Sequence, residues 1–342
     1  MAVKSRLAFI GGGNMAEAIL GGLLASGYPL SQCVVSEPMQ ARCEFLYKKY
    51  PGLQVLSGPE ANLLAVNGSK SSSASSSPSS AGSTTSVQTM ISEGSIHVNP
   101  TAASLDYPEA EVVILAVKPQ VLRSVVSHLG PVLRTKQPLV ISIAAGIETH
   151  AIARFMAEGS NFLPSELPPV IRVMPNTPSL VLEGAAGMYA TTDATESQRN
   201  IAESLLRSVS PEVAWVERES LIDTVTGISG SGPAYFFLMM EAMEDAGVQL
   251  GMDRETARQL TIQTCLGAAK MAQDATKVEG GDTLKTLREK VTSPKGTTDA
   301  AIRTFEAGGL RDLVFKSVAA ADARSKSLAA ELGGVSTPAT KL

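Results

Sequence analysis

The sequence is poor in the residues that build metal sites, disulfide frameworks and nucleic-acid surfaces. Its 342 residues include three cysteines and three histidines, and aromatic residues make up 4%. Cys33, Cys43 and Cys265 are scattered and form no CxxC pair, which argues against a disulfide framework and a zinc site. Lys and Arg form no cluster and the formal net charge is -4, so no nucleic-acid partner is expected.

Long apolar segments are also missing from the sequence. No apolar stretch reaches the roughly 18 to 20 residues that a membrane span requires. The first strand-like run begins at Leu7, which leaves no room for a cleaved targeting peptide. These features predict a cytoplasmic protein with no membrane partner.

Short apolar runs alternate with helical patterns through the first part of the chain. The first run ends in glycines and leads into an amphipathic helix pattern. Apolar runs of this length suit strands that are covered on both faces of a parallel sheet. The order predicts an α/β fold, a doubly wound Rossmann domain. Strands are expected at residues 7–10, 33–36, 112–116, 139–143, 170–173 and 187–190.

After about Ser220 only helical patterns remain. We therefore predict a Rossmann domain over residues 1–218 and an all-helical C-terminal domain over residues 219–335, for substrate binding and dimerisation. Residues 69–86 are Ser-rich and are expected to form a disordered insert in the first domain. An inert insertion is the simpler interpretation, although the tract can carry phosphorylation sites.

A glycine-rich motif, GGGNMA, follows the first strand and opens a helix. Its first glycine allows a tight turn, its third lets the backbone approach a pyrophosphate, and Ala16 permits close packing of helix on strand. The motif therefore predicts dinucleotide binding. The residues expected to contact the cofactor are Ile10, Gly11, Gly12, Gly13, Asn14 and Met15.

An acidic residue, Glu37, ends the second strand, 21 residues after Ala16. At this distance a carboxylate accepts hydrogen bonds from the adenosine ribose hydroxyls and repels a 2′-phosphate. The nearest arginine is Arg42. The local chemistry favours NADH over NADPH, and the alternative is that Glu37 is a solvated loop residue.

Three later strand ends are candidates to line the cofactor cleft, because strands of a doubly wound sheet end there. Lys118 either faces the dinucleotide or is a surface lysine before a helix-opening proline. Asn176 either reaches the nicotinamide amide or the reacting centre, or caps its turn. The small residues 144–146 suit close approach of a nicotinamide ring. The predicted set is Ala116, Val117, Lys118, Pro119, Ala144, Ala145, Gly146 and Asn176.

Two glycine turns open helices in the second domain. In GISGSGPAY, residues 227–235, the glycines expose backbone N–H groups and Pro233 suits a first helical turn, which predicts a carboxylate site. In VTSPKGTT, residues 291–298, the hydroxyls either cap the helix or bind a carboxylate. Each motif alone is equally typical of an ordinary helix cap.

Seven segments, in this order, resemble the Δ1-pyrroline-5-carboxylate reductase family: FIGGGNMAEAI, LAVKPQ, SIAAGI, RVMPNTP, EGAAGMYA, TGISGSGPAYFFLMMEAMEDAGV and REKVTSPKGTTDAAI. The resemblance covers nearly the whole chain outside the Ser-rich tract. It implies reduction of the C=N bond of 1-pyrroline-5-carboxylate by NADPH or NADH to L-proline, the last step of proline biosynthesis. It also implies an interlocked homodimer, which in many members assembles into a decamer.

The resemblance further implies that the GSGPAY loop holds the substrate carboxylate, with the SPKGTT segment of the partner subunit nearby. A protonated imine already carries the positive charge that a hydride seeks, so the site needs orientation more than a strong acid. The predicted catalytic residues are Asn176, Ser231 and Thr298. The predicted substrate contacts are Glu183, Ser229, Gly230, Ser231, Gly232, Ala234, Thr297 and Thr298.

Two positions depart from the family pattern. Leu238 stands where animal members commonly have Thr, and Lys295 stands where Gly is frequent. Family members usually favour NADPH or accept both cofactors, in contrast to the inference from Glu37. The alternatives are a two-domain NAD(P)-dependent hydroxyacid dehydrogenase, which needs a Lys or His acid–base that no motif offers, and a non-catalytic dinucleotide-sensing protein, against which the intact GSGPAY argues.

Overall fold

The computed structural model describes residues 5–68, 97–98 and 108–333. The chain divides into two compact units, one extending to Gly230 and resuming at Asp322, the other spanning Ser231–Ala321. The first unit extends beyond the predicted boundary at residue 218, because the short helix Leu221–Val225 packs on it, where Val225 lies against Gly187. Residues from Asp322 onward also belong to the first unit, whereas the prediction placed them in the second domain. The Ser-rich tract 69–86 lies outside the described residues.

A nine-stranded sheet forms the centre of the first unit in the part of the chain that the structure describes. Its strands are β1 (Leu7–Ile10), β2 (Cys33–Ser36), β3 (Gln54–Ser57), β4 (His97–Val98), β5 (Val112–Leu115), β6 (Leu139–Ser142), β7 (Val170–Met174), β8 (Ala185–Ala190) and β9 (Glu212–Trp215). Their order in the sheet is β4-β3-β2-β1-β5-β6-β7-β8-β9. The strand order reverses at β1, between β2 and β5, and ligands of such sheets bind at this point.

Helices cover both faces of this sheet. They are α1 (Asn14–Ala25), α2 (Gln40–Lys49), α3 (Ala61–Asn67), α4 (Pro119–Lys136), α5 (Thr149–Ala157), α6 (Glu196–Arg207) and α7 (Leu221–Val225). Leu7 and Phe9 belong to one core, with residues of α1, α2 and α6. Ala8 and Ile10 point the opposite way into a second core, with residues of α3, α4 and α5. Because successive strand residues face opposite sides, this sheet buries both faces, and the predicted doubly wound fold is confirmed.

The sheet differs from the sequence prediction at its two ends. β8 runs antiparallel to β7, whereas the alternating pattern predicts parallel strands throughout. β3, β4 and β9 have no counterpart among the predicted strands. β9 is mostly exposed or half-buried, so it lacks the continuous apolar run used to find the others. β3 is buried, but it begins with Gln54 and ends with Ser57, so its apolar run is only two residues long and too short to predict a strand.

The second unit consists of helices joined by short turns, with no strand among its described residues. Its helices are α8 (Gly232–Gln249), α9 (Arg254–Thr276), α10 (Leu284–Lys290), α11 (Thr297–Ala307) and α12 (Leu310–Gly333), the last of which enters the first unit at Asp322. The predicted all-helical C-terminal part is confirmed. None of the helices described here is both long and apolar enough to span a membrane.

A buried polar cluster fastens the end of α12 within the first unit. Arg172 of β7 is 1% exposed, and its guanidinium lies 3.3 Å from a carboxylate oxygen of Glu219 and 3.6 Å from one of Asp223. Glu219 also accepts hydrogen bonds from the backbone N–H and hydroxyl of Thr149, each at 2.7 Å. The hydroxyl of Ser325 donates to Asp223 at 2.7 Å. One cationic side chain and two carboxylates thus join β7, α5, α7 and α12.

We expect Ser325→Ala to lower the free energy of unfolding by about 1 to 2 kcal/mol, because it leaves a buried carboxylate short of a donor. Ser327→Ala on the same helix is the matched control. Its hydroxyl pairs with the exposed Glu331, so the loss should stay below about 0.5 kcal/mol. Urea unfolding at one fixed protein concentration measures both, and equal losses would contradict the role given to the cluster.

Candidate active site

The loops predicted to bind the cofactor lie at one edge of the sheet. β1, β2, β5, β6 and β7 are mutually parallel neighbours. Their carboxyl ends therefore point the same way. The glycine loop, Glu37, the segment 116–119, the turn 144–146 and Asn176 each follow one of these strands directly or within two residues. The structure thus brings the whole predicted cofactor set of the first unit to one edge.

The glycine loop has the backbone that its motif predicts. Gly11 has a φ of 102°, which favours glycine, and a Cβ atom there would lie 2.8 Å from the carbonyl oxygen of Ala116. Gly13 has ordinary extended angles and is exposed, and a Cβ atom there would meet nothing within 4 Å. Gly11 is therefore required by the fold itself, whereas Gly13 faces open space.

The amino end of α1 fits an anionic group. Within the described residues no side chain caps this helix, whose N-cap residue is Gly13. Uncapped N–H groups and the helix dipole make such an end a phosphate site. Open space in front of Gly13 leaves room for the pyrophosphate of a dinucleotide. The residues present therefore fit NAD(P)H.

Glu37 is buried at the end of β2, with 7% of its surface exposed, so the alternative of a solvated loop residue is wrong. Its carboxylate accepts one hydrogen bond from the backbone N–H of Gly12 at 2.7 Å and another from that of Met39 at 2.9 Å. The carboxylate therefore holds the glycine loop, a role that sequence analysis did not predict. A contact with the cofactor ribose stays a prediction.

We expect Glu37→Ser to raise the ratio of kcat/KM for NADPH to that for NADH by about tenfold, the factor that 1.4 kcal/mol gives. The reason is removal of a negative charge that would repel a 2′-phosphate. Both absolute efficiencies should fall, because Gly12 loses its acceptor. Steady-state kinetics with each cofactor give the ratio, and an unchanged ratio would mean that Glu37 does not select the cofactor.

The two other strand-end segments differ in their surroundings. Lys118 is exposed and directly precedes Pro119, the first residue of α4, so the structure leaves both interpretations of this lysine open. The turn 144–146 is largely buried, and a Cβ atom on Gly146 would lie 3.1 Å from Cβ of Leu328 on α12. The end of α12 therefore packs against the turn predicted to receive the nicotinamide.

Asn176 connects three segments of the first unit. It is 8% exposed. Its amide nitrogen donates to the carbonyl of Ser229 at 3.0 Å, and its amide oxygen accepts from the backbone N–H of Ala185 at 2.9 Å. The side chain does not cap the turn that it begins. It ties the end of β7 to the first half of the GISGSGPAY segment, where Gly230 also lies against Met174.

Each of the two substrate motifs leads directly into a helix. α8 follows Ser231 and α11 follows Gly296, and in the part of the chain described neither helix has a side-chain cap. The alternative that a hydroxyl of VTSPKGTT caps α11 is therefore wrong, and Ser231 and Gly296 are N-cap residues without a side-chain bond. Gly232 is buried, yet a Cβ atom on it would meet nothing within 4 Å.

The remaining predicted substrate residues differ in exposure. Thr298 is half-buried, whereas Ala234, Thr297 and Glu183 are exposed. Lys295 has a φ of 62°, the region that favours glycine.

Several residues near these segments were missed by sequence analysis. Arg42 donates from Nε to the carbonyl oxygen of Gly12 at 2.5 Å. Tyr235 of the GSGPAY motif buries its hydroxyl, and among the described residues that oxygen has no hydrogen-bond partner. From the sequence alone, Arg42 is interpreted as a solvent-exposed residue and Tyr235 as an apolar residue of a helix. No local pattern distinguishes them from such residues.

Two family models match the chain. Residues 219–328 match the model described as pyrroline-5-carboxylate reductase dimerisation. Residues 6–146 match the model described as NADP oxidoreductase, coenzyme F420-dependent. The first covers the helical part and the second the glycine loop, Glu37 and the next two strand ends. The matches agree with a dinucleotide domain followed by a self-associating helical domain.

Individual relatives extend over nearly the full length. A pyrroline-5-carboxylate reductase of Pseudomonas aeruginosa is 39% identical over 328 residues, 96% of this chain and 98% of that protein. The structure of one from Coxiella burnetii is 36% identical, with a TM-score of 0.72, and covers 95% of this chain and 99% of that one. A Plasmodium falciparum pyrroline carboxylate reductase with NADP bound has the same fold, at a TM-score of 0.69 and 22% identity over 96% and 100% of the chains. This chain belongs to the pyrroline-5-carboxylate reductase family, NAD(P)H-dependent oxidoreductases that act on an imine.

Proposed function

We propose that this chain reduces the C=N bond of 1-pyrroline-5-carboxylate to give L-proline. One observation carries the proposal: Asn176, at the sheet edge where the predicted cofactor segments lie, donates to the carbonyl of Ser229 in the GISGSGPAY segment. A single buried side chain thereby links the predicted cofactor and substrate segments. NAD(P)H, when bound, supplies the hydride.

The first unit binds and orients the cofactor in this proposal. The uncapped end of α1 receives the pyrophosphate, Glu37 lies toward the adenosine ribose, and the turn 144–146 receives the nicotinamide. Asn176 holds Ser229 with one hydrogen of its amide nitrogen, and the second hydrogen of that nitrogen is the donor proposed for the nicotinamide amide. The full set is Ile10, Gly11, Gly12, Gly13, Asn14, Met15, Glu37, Ala116, Val117, Lys118, Pro119, Ala144, Ala145, Gly146 and Asn176.

The substrate carboxylate is proposed to bind at the start of α8, which no described side chain caps. Ser231 precedes this helix, Gly232 leaves the space in front of it free, and α8 spans 18 residues, so its dipole adds to the attraction. Thr298, from the partner subunit, supplies a hydroxyl. The role of these groups is orientation, because the protonated imine already attracts a hydride. Ser229, Gly230, Ala234, Glu183 and Thr297 complete the proposed set.

The helical unit is proposed to form an interlocked homodimer that assembles further into a decamer. Its apolar residues support this, because many of the large ones are exposed in the single chain: Phe236 is 62%, Phe237 64% and Phe315 72% exposed. Large apolar side chains exposed in this number are typical of a protein interface. Static light scattering measures the mass in solution and separates a monomer, a dimer and a decamer.

A cytoplasmic location is part of the proposal and is tested by cell fractionation.

The direct test is oxidation of NADH and NADPH by the purified protein with 1-pyrroline-5-carboxylate, beside a 2-keto acid control. We expect turnover with the imine and none above background with the keto acid. Turnover with the keto acid alone would indicate a hydroxyacid dehydrogenase. Cofactor binding without turnover of either substrate would indicate a dinucleotide-sensing protein.

A further inference from the structure

The peptide groups on both sides of Gly12 are held by side chains from outside the glycine loop. Glu37 accepts from the N–H of Gly12 at 2.7 Å, and Arg42 donates from Nε to its carbonyl oxygen at 2.5 Å. The carbonyl of Gly12 and the N–H of Gly13 belong to one planar trans peptide. Holding that carbonyl therefore fixes the direction in which the N–H of Gly13 points.

Arg42 is itself fixed by several contacts. Its Nη2 donates to Glu17 of α1 at 2.8 Å, and its guanidinium carbon lies 4.5 Å from the centre of the Phe45 ring. Lys49 forms a second ion pair with Glu17. Burial raises the pKa of Glu17, but the hydrogen bonds from Lys49 and Arg42 outweigh it and hold that pKa below its usual value. Glu17 is thus a charged anchor for Arg42 at neutral pH.

We propose that Arg42 is a positioning residue of the dinucleotide site, which aims the N–H of Gly13 at the pyrophosphate through its bond to the Gly12 carbonyl. The inference rests on the dinucleotide role proposed for the glycine loop. The planar guanidinium supplies two donors in a fixed geometry, one to the loop and one to α1. A lysine has no such fork and cannot reproduce both bonds. Since the pyrophosphate is common to both cofactors, the effect is the same for NADH and NADPH.

Direct contact of Arg42 with the cofactor would change the affinities for NADH and NADPH differently. An arginine near the end of the second strand is a frequent partner of the NADPH 2′-phosphate. If Arg42 served that group, its loss would weaken NADPH and spare NADH. A purely structural role through Glu17 would be shared with Lys49, which pairs with the same carboxylate without touching the loop. Lys49→Met is therefore the matched control.

The experiment is fluorescence titration of the full-length protein with NADH and with NADPH for Arg42→Met, Arg42→Lys and Lys49→Met. We expect both Arg42 variants to raise both Kd values by about tenfold, since one charge-assisted hydrogen bond is lost, and kcat at saturating cofactor to stay within about twofold. Lys49→Met should leave both Kd values unchanged. Circular dichroism confirms folding, and if Arg42→Met does not fold, Arg42→Lys decides alone.

Three results would overturn the inference: unchanged Kd values in the Arg42 variants, a loss confined to NADPH, or equal losses in Lys49→Met. The proposed function is tested separately by Gly13→Val. If Gly13→Val binds cofactor normally, the loop is not the cofactor site. If Gly13→Val loses the cofactor while Arg42→Lys keeps full affinity for both, only the role of Arg42 fails.

Discussion

Gly13→Val is expected to abolish cofactor binding, with a rise in Kd of at least about 100-fold for both NADH and NADPH, or about 2.7 kcal/mol. The reason is steric: the added side chain occupies the space in front of α1 where the pyrophosphate approaches. Gly13 already has extended backbone angles, and its Cβ would meet no protein atom within 4 Å. The variant should therefore fold as the natural protein does.

This open position makes Gly13→Val a cleaner test than a change at either preceding glycine. A side chain on Gly11 would collide with the backbone of Ala116 and needs a positive φ, and one on Gly12 would press on Leu46. Fluorescence titration gives the Kd, and thermal unfolding without cofactor checks the fold. An unchanged melting temperature with wild-type affinity would remove the glycine loop from the cofactor site.

Gly232→Val is expected to raise the KM for 1-pyrroline-5-carboxylate by about 100-fold, because it displaces the carboxylate from charge-assisted N–H donors. The Kd for the cofactor should change little. Thr298→Ala should weaken substrate binding by about 1 to 2 kcal/mol through loss of a hydroxyl. Steady-state kinetics and cofactor titrations separate the two effects. A large rise in the cofactor Kd of Gly232→Val would contradict a role of Gly232 confined to the substrate carboxylate.

Subunit mixing then tests whether the two motifs come from different chains. A Gly232 variant and a harsher Thr298 variant, each nearly inactive alone, are unfolded together and refolded as mixed dimers. If the site is shared, one of the two sites in a mixed dimer contains two unaltered segments, and part of the activity returns. No recovery, with mixed dimers demonstrated by differently tagged chains, would mean that both motifs act within one chain.

The parts of the account that sequence analysis predicted are those whose residues are close neighbours in the chain. The strand, glycine turn and helix of the first motif span residues 7–25 without interruption. The helical character of the second unit was also predicted, because helical patterns and caps, such as Asp253 on Thr256, are local. Local patterns of this kind are visible in a single sequence.

The parts that remained hidden depend on residues far apart in the chain. The bond from Arg42 to Gly12 spans 30 residues, and that from Ser325 to Asp223 spans 102. β8 pairs antiparallel with β7. The apolar run of β8 is compatible with parallel and with antiparallel pairing, so the sequence alone does not decide its direction. Asn176 was predicted from its place at a strand end, but its partners, Ser229 and Ala185, come from pairing that only the folded chain establishes.

The most direct test of the central claim follows the hydrogen itself. NADH and NADPH that carry two deuterium atoms on C4 of the nicotinamide ring, the carbon that releases the hydride, are incubated with the protein and 1-pyrroline-5-carboxylate. The product is analysed by mass spectrometry and NMR. The account predicts L-proline with a single deuterium on the carbon that formed the C=N bond of the substrate. Unlabelled proline, or oxidised cofactor without proline, would contradict it.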